Sequence, residues 1–112
     1  MKPSLILTAA GLSATLLSAP VQAADAAAAE ALAKKEGCLK CHAVDKKKDY
    51  ASLKEISKKY AGKPDAEAKI LNQITAGVKV KLDDGSEEEH KIVKSKDQAA
   101  INNMIQWILS LK

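Results

Sequence analysis

The stretch that most constrains this chain is Gly37-Cys38-Leu39-Lys40-Cys41-His42, which holds its only two cysteines, with an imidazole directly behind the second. Three chemistries use such a pattern. A thioredoxin-like dithiol places its Cys-x-x-Cys at the start of a helix in a βαβ chain, and nothing here alternates in that way. A structural zinc site needs about four ligands, and two cysteines plus His42 and His90 would supply that number. A zinc ribbon, however, rarely sets its third ligand immediately beside the second cysteine. The third chemistry is covalent haem attachment: two thiols add to the vinyl groups on one porphyrin edge, and the adjacent histidine meets the iron from one face.

The N-terminal residues support the third chemistry. Met1-Lys2 is a short basic start, Ser4 to Leu17 is an apolar run, and Val21-Gln22-Ala23 is a small-x-small site. This is the pattern of a secretory signal peptide cut after Ala23. The run is too short and too rich in Ser, Thr and Gly for a membrane span. Residues 1–23 are therefore read as a cleaved leader, residues 24–112 as one domain, and the compartment as the periplasm. Attachment of c-type haem takes place outside the cytoplasm.

Residues 24–112 contain no Phe, and Tyr50, Tyr60 and Trp107 are their only aromatics. So small a domain needs a staple or extra core mass. Cys38 and Cys41 are too close together to join distant segments, whereas a buried porphyrin would complete the core. The formal net charge of the whole chain is +4, with every basic residue a lysine, too weak a balance to argue for nucleic acid. Lys40 and Lys46 to Lys48 gather around the cysteine motif, while Asp83, Asp84 and Glu87 to Glu89 form an acidic run. Such asymmetry can orient a protein toward an acidic partner.

Helix signals dominate. Asp25 caps a helix that runs to Glu36 and ends at Gly37. Asp49 to Tyr60 places Tyr50, Leu53, Ile56 and Tyr60 at helical spacing, and a third helix starts at Pro64 and ends at Gly77. Residues 78–94 read as a short hairpin or extended loop: Val78 to Leu82 alternates, Asp83-Asp84-Gly85 is a turn signal, and His90 to Val93 follows. Ser95 and Gln98 read as a capping box for the last helix. The buried stripe of that helix is Ile101, Met104, Ile105, Ile108 and Leu111, with Trp107 beside it.

With its N-terminal helix entering GCLKCHAVD, the segment LKEISKKYAG, a third helix and a final helix bearing Trp107-Ile108-Leu109-Ser110-Leu111, the chain resembles the small bacterial class I cytochromes c. The resemblance covers nearly all of residues 24–112. It implies an all-α fold of three to four helices around one covalently bound haem c, with the terminal helices crossing beside it and Trp107 at the crossing. Cys38 and Cys41 would form the thioethers, and His42 would be the proximal iron ligand. Two departures stand out. The family's Gly-Pro pair, whose Pro carbonyl orients the proximal imidazole, is replaced by Tyr50-Ala51, so that bond must come from another carbonyl. The family's distal Met, in a loop ahead of the last helix, has no counterpart.

The only Met of the domain, Met104, falls on the aliphatic stripe of the last helix, where core filling is its ordinary use. His90 lies about four helical turns upstream of Trp107, where the family places its Met. The expected ligands are therefore His42 and His90, with Met104 as the lesser alternative. Two imidazoles imply a lower potential than a histidine–thioether pair. The function expected is one-electron transfer between redox proteins in solution, not catalysis. The rival is a haem protein that binds O2, NO or CO through an open or labile distal site. A peroxidase would want a distal acid/base and a positive charge near the ligand, but the chain has no Arg and its spare His is already taken.

Overall fold

The structure is a computed structural model that describes residues 23–112 without a break and, before them, residues 2–4, 10, 11, 13 and 15. The leader expected over residues 1–23 lies for the most part outside the described residues. Four helices, α1 (Ala26–Lys35), α2 (Leu53–Tyr60), α3 (Ala66–Thr75) and α4 (Gln98–Ser110), carry the domain. A two-stranded hairpin, β1 (Lys79–Lys81) and β2 (Glu87–Glu89), lies between α3 and α4. The fold is all-α, as the sequence implies.

Helix α1 starts at Asp25, whose carboxylate accepts the Ala28 N–H at 3.1 Å, and it packs chiefly on α4. Ala29 and Ala33, one turn apart and buried, leave room for the close approach of the two helices. Across from them Ile101, Met104, Ile105, Trp107 and Ile108 form the buried face of α4. Trp107 is part of this core rather than beside it, and Leu111 is only half-buried. Asn103 stitches the crossing: its Oδ1 accepts the Asp25 N–H at 2.8 Å, and its Nδ2 donates to the Asp25 carbonyl at 2.9 Å. Helix α2 is joined to the far end of α4 by the buried Ser57, whose hydroxyl donates to the Leu109 carbonyl at 2.9 Å.

Four boundaries differ from those expected. Helix α2 begins at Leu53, not Asp49, because the Ser52 hydroxyl takes the Glu55 N–H at 3.1 Å and so caps the chain there. Tyr50 therefore stands before the helix. Helix α3 begins at Ala66, and Pro64 belongs to the turn ahead of it. Helix α4 is capped by Asp97, which accepts from Ala100 N–H at 3.1 Å, while Ser95 Oγ accepts the Asp97 N–H instead. The second strand is Glu87–Glu89 rather than His90 to Val93, because register places Lys79 opposite Glu89 and Lys81 opposite Glu87. Opposite charges facing across a ladder stabilise that pairing. Asp84 Oδ1 accepts from both the Ser86 N–H and the Ser86 hydroxyl, bonds that fix the turn and hold the Asp84 carboxyl below the usual carboxylate range.

Candidate haem site

Gly37, with φ 80°, turns the chain out of α1 into a single 3-10 turn over Cys38–Lys40. In such a turn side chains three apart eclipse one another, which sets Cys38 and Cys41 on the same side. Both side chains are half-buried. The backbone of the turn closes on itself, with the His42 N–H donating to the Cys38 carbonyl at 3.0 Å. Among the described residues no three His, Cys, Asp or Glu side chains are grouped to hold a metal ion, so the four zinc donors counted in the sequence are not assembled.

The loop after His42 folds back along the motif. Tyr50 N–H donates to the Cys41 carbonyl at 3.2 Å, and Leu53 N–H to the Ala43 carbonyl at 2.9 Å. These bonds bring the Ala51 carbonyl to 2.6 Å from His42 Nδ1. The replacement carbonyl is thus that of Ala51 itself: the proline is gone, but the backbone oxygen at its place remains. A carbonyl oxygen can only accept, so Nδ1 carries the proton and the Nε2 lone pair is left for a metal.

His90 follows β2 directly, and its N–H donates to the Val78 carbonyl at 2.8 Å, extending the ladder by one rung. The hairpin delivers it opposite His42, with ring centres 6.3 Å apart and planes inclined at 39°. Its Nδ1 lies 2.9 Å from the Lys91 carbonyl, so the same reasoning leaves Nε2 as the free lone pair. A metal about 2 Å from one nitrogen of each imidazole holds the ring centres on the order of 6 Å apart. The 6.3 Å separation matches that spacing, and the two half-buried cysteines stand on the adjoining turn. Met104 is fully buried within the core cluster.

Three neighbours were not anticipated. The Tyr50 ring sits 5.9 Å from that of His42, and its hydroxyl donates to Glu88 Oε1 at 3.0 Å. The Glu36 carboxylate accepts the N–H groups of Lys94 and Ser95 at 2.8 and 3.1 Å. A cavity of about 620 Å3 opens beside Gly37 and His90, edged by Lys34, Lys35, Lys40, Lys91 and Lys94. The lysines expected to matter are partly engaged elsewhere: Lys47 pairs with Asp83 at 3.1 Å, and Lys48 reaches the Leu39 carbonyl at 3.4 Å.

Comparison with known proteins identifies the family. The cytochrome c family profile matches residues 26–112. Cytochrome c2 of Rhodocyclus tenuis is 34% identical over 83 residues, covering 73% of this chain and 90% of that protein. Cytochrome c-551 of Pseudomonas aeruginosa is 38% identical over 77 residues, 69% of this chain and 70% of the relative. The crystal structure of the class 1 cytochrome MtoD from Sideroxydans lithotrophicus superposes with a TM-score of 0.76 at 51% identity, over 80% of this chain and 98% of that one. With its attachment turn, its helical order and these relatives in agreement, the chain belongs to the cytochrome c family and carries one covalently bound haem c.

Proposed function

We propose that this monohaem electron carrier works in the periplasm with His42 and His90 as its axial ligands, at a potential below that of a histidine–methionine cytochrome. The observation that carries the reading is the facing pair of imidazoles, each with Nδ1 bonded to a backbone carbonyl. When bound, the haem supplies the one-electron couple. The chain does the rest: Cys38 and Cys41 anchor the group, and the two tethered rings keep their orientation as the iron changes charge. Little rearrangement then accompanies transfer. Export rests on the leader pattern of residues 1–23, and no helix among the described residues is long and apolar enough to cross a membrane.

The basic rim formed by Lys34, Lys35, Lys40, Lys91 and Lys94 suits an acidic redox partner, more so than Lys46 to Lys48. Exposed charges of this kind steer encounter and are weakened by salt. Membership of the cytochrome c family favours a carrier over a gas-binding protein. The decisive measurement is near-infrared magnetic circular dichroism of the ferric holoprotein. The expected charge-transfer band is that of a bis-histidine pair; a histidine–methionine band would overturn the ligand assignment, and a high-spin spectrum would return the gas-binding alternative.

A further inference from the structure

We infer that Glu36 is the positioning residue that keeps His90 within reach of the iron, and so sets how readily the distal ligand leaves. The inference rests on His90 as that ligand. Glu36 closes α1, where its own N–H donates to the Leu32 carbonyl. A carboxylate is poorly placed there, because the C-terminal end of a helix carries the negative pole of the macrodipole. What it gains is two bonds from successive backbone amides, Lys94 N–H at 2.8 Å and Ser95 N–H at 3.1 Å. Hydrogen bonds to an ionised acceptor are the stronger kind.

The position of this clamp gives it its role. Glu36 stands two residues before Cys38, and Lys94 stands four after His90, so the two bonds join the attachment turn to the segment that follows the distal imidazole. Residues 90–97 form no helix or strand. Ahead of Lys94, the backbone of this segment is tied by His90 N–H to the Val78 carbonyl and Val93 N–H to the Ile74 carbonyl at 2.9 Å. Both of those ties lead back to α3 and the hairpin. Glu36 fastens the segment to the end of α1 beside the turn that holds the cysteines, while Tyr50–Glu88 and Lys47–Asp83 hold the hairpin ahead of it. Without it the stretch after His90 loses its charged tie to α1, and the hold on His90 falls to the hairpin and its contacts with Tyr50 and Lys47.

The test is carbon monoxide binding to the ferrous holoprotein at neutral pH, in wild type, Glu36→Ala, Glu36→Gln and His90→Ala. Loss of both charged bonds in Glu36→Ala should speed carbon monoxide binding about tenfold, and Glu36→Gln, which keeps one neutral acceptor, should fall between. Both should keep a low-spin ferric spectrum, and amide exchange at Lys94 and Ser95 should accelerate in Glu36→Ala. Rates equal to wild type in both Glu36 variants, while His90→Ala opens the iron, would overturn the role of Glu36 and leave the ligand assignment standing. An unchanged low-spin spectrum in His90→Ala would instead remove the assignment on which the inference rests. Glu36→Gln keeps the test open should Glu36→Ala fold poorly.

Discussion

The Tyr50 phenol donates to the Glu88 carboxylate at 3.0 Å, which ties the loop behind His42 to the strand that leads into His90. Desolvation, then the hydrogen bond and the negative charge of Glu88, push the Tyr50 hydroxyl from 10.0 up to about 12. A raised value in the fold means that the neutral phenol is the form the fold prefers. Its contribution is whole below the unfolded value of 10.0 and disappears as pH climbs toward about 12. Thermal melting across this window should show wild type losing stability more steeply than Tyr50→Phe, with tyrosinate absorbance rising in step. Identical slopes would mean that the bond to Glu88 does not hold the proton.

Replacing His90 by Met tests the proposed sixth ligand through its chemistry. A thioether favours ferrous iron over ferric more than imidazole does, so His90→Met should raise the midpoint potential. The expected shift is on the order of 0.1 V, a modest part of the roughly 0.8 V that axial ligands span. Spectroelectrochemical titration of both proteins measures it. A variant that stays low-spin at the wild-type potential would show that residue 90 does not touch the iron.

Which parts of this arrangement are readable in the sequence follows from how local their causes are. The cysteine motif, the Asp25 cap and the stripe on α4 are set by residues within one or two turns, and the structure has them where the sequence puts them except for Leu111, which follows the helix and is half-buried. The start of α4 is less legible, because two caps compete there. Ser95 and Asp97 both offer an oxygen, and Asp97 takes the helix because Ser95 is used to brace Asp97 itself. Tyr50 has the spacing of a helical residue, but its N–H is drawn to Cys41. The bonds of Glu36 to Lys94 and Ser95, and of Asn103 to Asp25, join residues far apart in the chain and leave no periodic trace. Ala51 lies between: the missing proline was visible, while the carbonyl that survives it depends on how the loop folds back.

Gly37 is the position where backbone freedom bears on the site. Its φ of 80° starts the attachment turn, and an added Cβ would meet Lys91 Nζ at 3.0 Å. An L-residue forced into the left-handed region costs about 1–2 kcal/mol, and the lysine, being flexible, can move aside. Gly37→Ala should therefore lose about that much stability in chemical denaturation. Gly37→Asn should lose less, because Asn is enriched in this region. Equal loss in both variants would assign the effect to crowding against Lys91 instead of to the backbone.

Met104 separates packing from ligation. It is fully buried among the aliphatic residues of the α1–α4 core, and a Met truncated to Ala in such a place costs about 2–5 kcal/mol. Met104→Leu keeps nearly the same volume and should cost less than about 1.5 kcal/mol. As a core residue, Met104 should give a Leu variant with an unchanged ferric spectrum and an unchanged potential, and an Ala variant that unfolds early yet remains low-spin until it does. A ligand would behave otherwise, since leucine has no lone pair to offer and the iron would turn high-spin in the better-packed variant. Visible spectra recorded along the denaturation curve of both proteins decide between them, because they report coordination and folding in the same sample.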